Sequence, residues 1–351
     1  MDANRKKNLI YSLILITLLS GMWWYRNKQN PDTKAQGNQY KIAINGEAQG
    51  STYQIKYLST KNISYKKAVD SILLGIDQSL SLWVPDSELN QFNRGTQIKF
   101  SSPYFYDVLV KSREVYEATE GAFNPALMPL IRAWGFGPEQ PIFPEPRVVD
   151  SLKAFVNFDS IFFDTKAICK LKKGIQLDFN GIAQGYTVDV LAAFLEAQGI
   201  ENYMVEVGGE VRCKGKNEEN NVWAIGISNP LFKEKGDKEI QVGVRLDNRG
   251  LATSGNYRKF YLKDGKKLGH TIDPSTGYPV EHSLLSASVF AKESAIADGL
   301  ATAFLVRGLE YAKAYAAEHP EIDVLLLYAD EQGNLASYVS PGIEPYIFEI
   351  E

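Results

Sequence analysis

Hydrophobic and polar positions alternate over residues 39–57. Tyr40, Ile42 and Ile44 form one apolar row and Tyr53, Ile55 and Tyr57 another, with Asn45-Gly46 between them as a turn signal. That pattern predicts a β-hairpin. The period then changes: Val69, Ile72, Leu73, Ile76 and Leu80 recur at helical spacing behind Ser64, which reads as the cap. A further helix starts at Ser102-Pro103, buries Phe105, Val108, Leu109, Val115 and Tyr116, and stops at Gly121. Residues 135–146, rich in Pro and Gly, read as a surface loop. Strand patterns follow at 161–163 and 175–179, then a helix over about 182–198 closed by Gly199. Strands recur at 203–212, 222–228, 241–246 and 284–290, helices at 294–306 and 309–318, and a buried strand at 324–328. Strands and helices come in separate runs, so the expected class is α+β, with largely antiparallel or mixed β-sheets and packed helices.

The beginning of the chain has a different character. Arg5-Lys6-Lys7 precedes an apolar run over residues 9–25, about 26 Å long as a helix at about 1.5 Å per residue. This is close to a bilayer core, and the aromatic and basic flanks extend it. Met22-Trp23-Trp24 offers no small residues for signal cleavage, and Met22 stands where lipidation would need a cysteine. The expectation is a cytoplasmic segment at 1–8, an uncleaved membrane anchor at 9–25, a polar linker at 26–38, and a domain over 39–351 outside the cytoplasm.

Composition narrows the chemistry. The 351 residues carry 38 Lys+Arg against 42 Asp+Glu, a net charge of −4, which argues against nucleic-acid binding through broad positive charge. Two cysteines and three histidines exclude a disulfide scaffold and a Cys- or His-rich metal site. Cys169 and Cys213 would have the chance to pair outside the cytoplasm, although strand positions do not favour it. What remains is oxygen chemistry and tight glycine turns.

Five stretches carry candidate chemistry. Asp178-Phe179-Asn180-Gly181-Ile182-Ala183-Gln184-Gly185-Tyr186 runs from strand end through a small-residue turn into a helix. It reads either as an anion site on a helix N-terminus or as an ordinary turn. Asp298 and Thr302 lie four apart on one helix face and offer hard oxygens to Mg²⁺, or else belong to a polar face. His270 and Asp273 lie in a turn-rich stretch as candidates for base work, against a structural hairpin. Gly208-Gly209 sits inside a strand, as a bulge or a place where a ligand presses on backbone. Thr253-Ser254-Gly255-Asn256-Tyr257 is a strand end with a polar turn.

Taken in order, these stretches together with Ser81…Ser87-Glu88-Leu89…Asn93, Gly121-Ala122-Phe123-Asn124-Pro125 and Trp134-Gly135-Phe136-Gly137 resemble the FAD:protein FMN transferase (ApbE-type flavin transferase) family over about residues 39–345. The resemblance implies an FAD cleft between sub-lobes, with FAD as substrate and Mg²⁺ as cofactor. FMN would pass to a threonine hydroxyl of an acceptor protein, and AMP would leave. Acceptors in the family include membrane subunits of sodium-pumping quinone reductases and Rnf-type complexes. By the same resemblance the metal falls on the Ala183 carbonyl, Asp298 and Thr302. Flavin-nucleotide contacts fall on Gln49, Trp83, Ala122, Phe123, Asn124, Asn180, Tyr186 and Ile272. His270 first and Asp273 second would take the threonine proton, while Gly208 and Gly209 let the cofactor lie against the strand. Asn180 and Gln184 stand where the family often has Gly and Lys, and Asn124 where it often has Asp. The same residues would serve FAD hydrolysis to FMN and AMP, or a non-catalytic anchored flavin-binding protein. The trio His270, Asp298 and Thr302 argues against the last.

Overall fold

The computed structural model describes residues 39–136, 143–229, 240–256, 260–263 and 266–349. The apolar run at 9–25 lies outside them, and among the described residues no helix is long and apolar enough to cross a membrane. Lys41–Ser59 with Ile63–Glu351 form the larger of two compact units. The larger unit carries every candidate site residue.

The chain begins with β1 (Tyr40–Ala48) and β2 (Ser51–Ser59), followed by α1 (Lys66–Leu80), α2 (Glu88–Arg94), β3 (Gln97–Lys99) and α3 (Pro103–Ala118). Next come α4 (Met128–Trp134), α5 (Pro146–Lys153), β4 (Ile161–Phe163), β5 (Ala167–Lys170) and α6 (Ala183–Ala197). Six strands follow: β6 (Asn202–Val207), β7 (Glu210–Lys214), β8 (Trp223–Ser228), β9 (Ile240–Leu246), β10 (Arg249–Gly255) and β11 (Phe260–Lys263). The remainder is β12 (Lys266–Gly269), β13 (Leu284–Ala291), α7 (Ser294–Arg307), α8 (Leu309–Glu318), β14 (Asp323–Ala329), β15 (Leu335–Val339) and β16 (Ile347–Phe348).

An eight-stranded sheet in the order β1-β2-β6-β7-β10-β13-β14-β15 is the centre of the fold. Its pairs from β2–β6 through β14–β15 are antiparallel, as the α+β reading expects. One apolar cluster gathers β1, β2 and β6 with α1 and α6 through Ile44, Ile55, Tyr203, Val69 and Leu191. A larger one gathers α7 with α3 and β13 through Phe304, Leu300, Phe105 and Val289. A third cluster packs the β16-β9-β8 sheet through Trp223, Val244 and Leu246 against Val211, Phe290 and Leu325 of the main sheet. Eleven of the fourteen residues of α7 are buried, so this helix has no solvent face.

Four expectations change. The hairpin turn is at Gln49-Gly50, not Asn45-Gly46. Both of those residues take left-handed φ (52° and 70°), as a two-residue hairpin turn requires, whereas Gly46 lies within β1 beneath the Tyr53 ring. Ser64 lies one position before the N-cap of α1, which is Tyr65, and reaches the helix start only through a long bond from Lys66 N to its Oγ (3.4 Å). Residues 175–179 are extended and mostly buried but form no strand, because their backbone groups find other partners. Asn93 clamps Leu177 with its Nδ2 on the carbonyl (2.8 Å) and its Oδ1 on the N–H (2.7 Å), and Asp178 N donates to the Pro125 carbonyl at 2.8 Å. Residues 203–212 are two antiparallel strands, with Val207 opposite Glu210 and Gly208-Gly209 as their turn (φ 66° and 111°).

Both cysteines are free thiols: Cys169 is exposed, and Cys213 is buried, which pushes its thiol pKa well up. His282 closes α7, its Nε2 donating to the Leu305 carbonyl at 2.6 Å, and His319 stacks on Tyr315 at the end of α8.

Lys170 is buried without a carboxylate partner. Its Nζ donates to the carbonyls of Phe92 (2.9 Å), Asn93 (3.3 Å) and Ile175 (2.6 Å), joining the end of α2 to the extended segment that leads into the site. Lys170→Met strands those carbonyls and is expected to lower stability by about 2–4 kcal/mol in urea unfolding. Burial lowers the Lys170 pKa to about 8, below its ordinary 10.5. Between those values the unfolded chain holds a proton that the folded chain releases, so stability rises with pH across that window. The advantage of wild type over Lys170→Met should therefore grow from pH 8 to pH 10.

Candidate functional site

The turn leading into α6 is built from its own polar groups. Asp178 Oδ1 accepts from Asn180 N at 2.7 Å and Oδ2 from Asn180 Nδ2 at 3.3 Å, and burial raises the Asp178 pKa to about 6. Ile182 N and Ala183 N both donate to the Phe179 carbonyl, and Gly185 N donates to Asp298 Oδ2 at 3.1 Å. Four of the N–H groups that an anion would use are engaged within the protein. Of the two readings of this stretch, anion site or ordinary turn, these bonds favour the ordinary turn. The Asn180 amide, expected on the nucleotide, folds back on Asp178.

What the turn does provide is closeness to α7. A Cβ on Gly185 would fall 2.7 Å from the Ser294 carbonyl carbon and 2.8 Å from Asp298 Cβ. A Cβ on Gly181 would fall 2.8 Å from Thr302 Oγ1. The two glycines bring Asp298 and Thr302 onto the first turn of α6, where Ala183 lies. Asp298 is the single carboxylate on a helix with no solvent face, so a polar-face explanation does not hold. Burial is the main cause lifting its pKa to about 7, with the Asp189 charge adding to it. Thr302 Oγ1 also lies 3.3 Å from Ser254 Oγ at the end of β10.

Sequence reasoning missed the residue that holds this helix pair together. Asp189 on α6 accepts from Ser294 N at 3.1 Å and Ala295 N at 2.9 Å, capping α7 from a neighbouring helix, and pairs with Arg212 at 2.7 Å. No local signal points to it, because its partners Ser294 and Ala295 lie more than 100 positions along the chain. Glu210 was also missed. It is buried at the start of β7, and its Oε2 has no hydrogen-bond partner.

The carbonyl of Ala183 accepts from Thr187 Oγ1 at 2.7 Å, and Thr187 Oγ1 accepts from Gln49 Nε2 at 2.6 Å. Gln49 thus reaches the site from the β1–β2 turn, and its Oε1 is buried without a partner. Gln184 lies over Gly208, so the glycine pair meets a protein side chain on this side.

His270 is half-buried beside Phe136, ring centres 6.3 Å apart. Its neighbour Thr271 donates from Oγ1 to Asn256 Oδ1 at 2.5 Å, and Asn256 follows the strand end that carries Ser254. His270 and Thr302 are thereby tied to the same end of β10. Asp273 is used differently: its Oδ1 accepts from Ser275 N (2.8 Å) and Ser275 Oγ (2.7 Å), shaping its own turn. Ile272 anchors this loop in a cluster with Leu130, Trp134 and Val149, and Trp134 Nε1 donates to the Gly277 carbonyl at 2.9 Å.

The expected flavin contacts divide in two. Trp83 is 70% exposed, a free indole face beside the Ser81–Ser87 turn. Ala122, Phe123 and Ile272 are buried, and the N–H groups of Ala122 and Phe123 already donate to the Thr119 carbonyl (3.0 Å) and Oγ1 (3.2 Å), while Asn124 Oδ1 caps the next turn on Ala126 N at 2.9 Å. Tyr186 is buried, with its hydroxyl donating to Asp107 Oδ2 at 3.3 Å.

No cluster of three or more His, Cys, Asp or Glu suited to a metal occurs among the described residues. Asp298, Thr302 and the Ala183 carbonyl would instead offer one carboxylate, one hydroxyl and one carbonyl, a hard mixture of the kind that suits Mg²⁺, which needs few protein ligands. The unpartnered buried oxygens of Glu210 and Gln49 and the raised Asp298 carboxyl all fit a missing positive charge.

The flavin transferase ApbE from Vibrio cholerae superposes with a TM-score of 0.76 at 33% identity, over 88% of this chain and 99% of that one. The apo flavinyl transferase ApbE from Pseudomonas stutzeri gives 0.77 at 30% identity, over 89% and 98%. The FAD:protein FMN transferase of Haemophilus influenzae is 36% identical over 306 residues, 83% of this chain and 88% of that one. The α+β fold and these likenesses define the class, that of the flavin transferases. The chain belongs to the ApbE family, whose profile matches residues 49–326.

Proposed function

We propose that the protein transfers FMN from FAD to a threonine hydroxyl of an acceptor protein, releasing AMP. The observation that carries this reading is the meeting of Asp298 and Thr302 with the glycine-bordered start of α6. Asp298, Thr302 and the Ala183 carbonyl would hold Mg²⁺. When bound, Mg²⁺ supplies the positive charge that neutralises the FAD pyrophosphate as its bond to AMP breaks. The acceptor oxygen forms the new bond to the FMN phosphorus, and His270 takes its proton. Asp273, engaged by Ser275, shapes the loop that presents His270. The Trp83 ring stacks on a planar heterocycle of FAD.

Incubating the full-length protein with FAD, Mg²⁺ and a threonine-bearing acceptor should give flavin fluorescence that survives a denaturing gel. Free FMN without labelled acceptor would instead mean hydrolysis, and neither product would mean binding alone. Trp83→Ala should raise the KM for FAD about 5- to 100-fold, the range for loss of one aromatic stack, with no change in melting temperature. An unchanged KM would remove Trp83 from the site.

Residues 9–25 would anchor the chain in the inner membrane, with 39–351 on the periplasmic side. Membrane redox subunits of the quinone-reductase and Rnf types fit as acceptors, because they lie at the same surface. Protease accessibility of the domain in spheroplasts tests this orientation.

A further inference from the structure

Glu210 opens β7 directly after the Gly208-Gly209 turn and is 6% exposed. Its Oε2 has no partner in the protein, and a buried carboxylate oxygen left unsatisfied is unfavourable by several kcal/mol unless something else completes it. Its surroundings are those of the candidate cation site. The strand carrying Glu210 is tied to the helix carrying Asp298, because Ser294 Oγ donates to the Val211 carbonyl at 3.1 Å. From the other side, Gln184, adjacent to Ala183, lies over Gly208. The Asp298 charge also acts on the Glu210 carboxyl, which burial already holds well above the ordinary range. Three elements bearing Ala183, Asp298 and Glu210 converge, and two buried acids share one neighbourhood.

We propose that Glu210 is a further residue of the divalent-cation site, its Oε2 accepting a hydrogen bond from water carried by the cation that Ala183, Asp298 and Thr302 hold. This rests on the metal reading above and extends it. Mg²⁺ takes six ligands and sheds its waters reluctantly, so three protein oxygens leave places for both water and phosphate. A carboxylate behind such a water orients it, and removing an outer partner of this kind typically weakens metal affinity 10- to 100-fold. Glu210 is thus a positioning residue, acting through water and not touching the reacting phosphorus.

The test is a Mn²⁺ titration of the full-length protein without FAD, following free Mn²⁺ by electron paramagnetic resonance. Glu210→Gln keeps the shape and removes the charge. It should weaken Mn²⁺ binding about 10- to 100-fold, while melting in EDTA is no lower than wild type. Glu210→Met, of similar length without an acceptor, should do the same and serves if the Gln variant does not fold. Wild-type Mn²⁺ affinity in a folded Glu210 variant overturns the proposal. Asp298→Ala separates the two levels. If it loses Mn²⁺ while Glu210→Gln keeps it, only the Glu210 role fails. If both keep it, the metal reading itself fails.

Discussion

Asp298→Asn is expected to reduce flavin transfer about 10²- to 10³-fold, the scale on which one preorganised charge contributes to a transition state, while leaving the fold in place. The substitution separates charge from shape. An Asn Oδ1 still accepts from Gly185 N, so the α6–α7 contact survives. The negative charge, which burial in α7 makes unfavourable in the absence of a cation, is gone. The folded variant should therefore melt at or above the wild-type temperature in EDTA, and it should not show the rise in melting temperature that Mg²⁺ is expected to give the wild type. A Mg²⁺-induced rise equal to that of wild type, with transfer intact, would place the cation elsewhere.

Gly185→Ala should have the second large effect, and here two terms oppose each other. Within a helix, replacing Gly by Ala contributes about 1 kcal/mol of stability. Against this, the new methyl would press on the Ser294 backbone and on Asp298 Cβ at 2.8 Å, where neither partner is the far end of a flexible side chain. Overpacking of this kind costs about 1–3 kcal/mol and occasionally more, so destabilisation wins. Separation of the helices also moves Asp298 and Thr302 away from Ala183, so transfer should fall together with stability. Gly199→Ala is the control, since open space surrounds that glycine although its φ of 77° adds strain. It should lower stability while leaving Mg²⁺ affinity unchanged. A Gly185→Ala enzyme of wild-type stability and activity would refute the close-approach argument.

Local signals are mostly readable where the partner of a residue lies a few positions away, the Ser64 cap being an exception. Helix 309–318 appears with those bounds, and Ser102-Pro103 opens α3 as its dipeptide predicts. Asp298 and Thr302 were assigned to one helix face from spacing alone. Where a local rule met a distant partner, the rule gave way. Asn45-Gly46 is a strong turn pair, yet Gly46 serves the Tyr53 ring across the hairpin. Residues 175–179 look like a strand, yet Asn93, 84 positions before Leu177, takes the backbone bonds that a neighbouring strand would take.

The sequence by itself determined the α+β class, the supply of oxygen ligands in place of thiols or imidazoles, and the small-residue turn at 178–186. Each follows from composition, from hydrophobic periods of a few residues and the order of the elements they mark, or from a short run of neighbouring residues. Tertiary structure alone decided that Asp298 is buried, that its hydrogen bond comes from a glycine 113 positions earlier, and that Glu210 and Asp189 belong to the same neighbourhood. Burial and charge coupling depend on which surfaces meet, and that is set by the packing of α6 and α7 on the sheet. No window along the chain contains it.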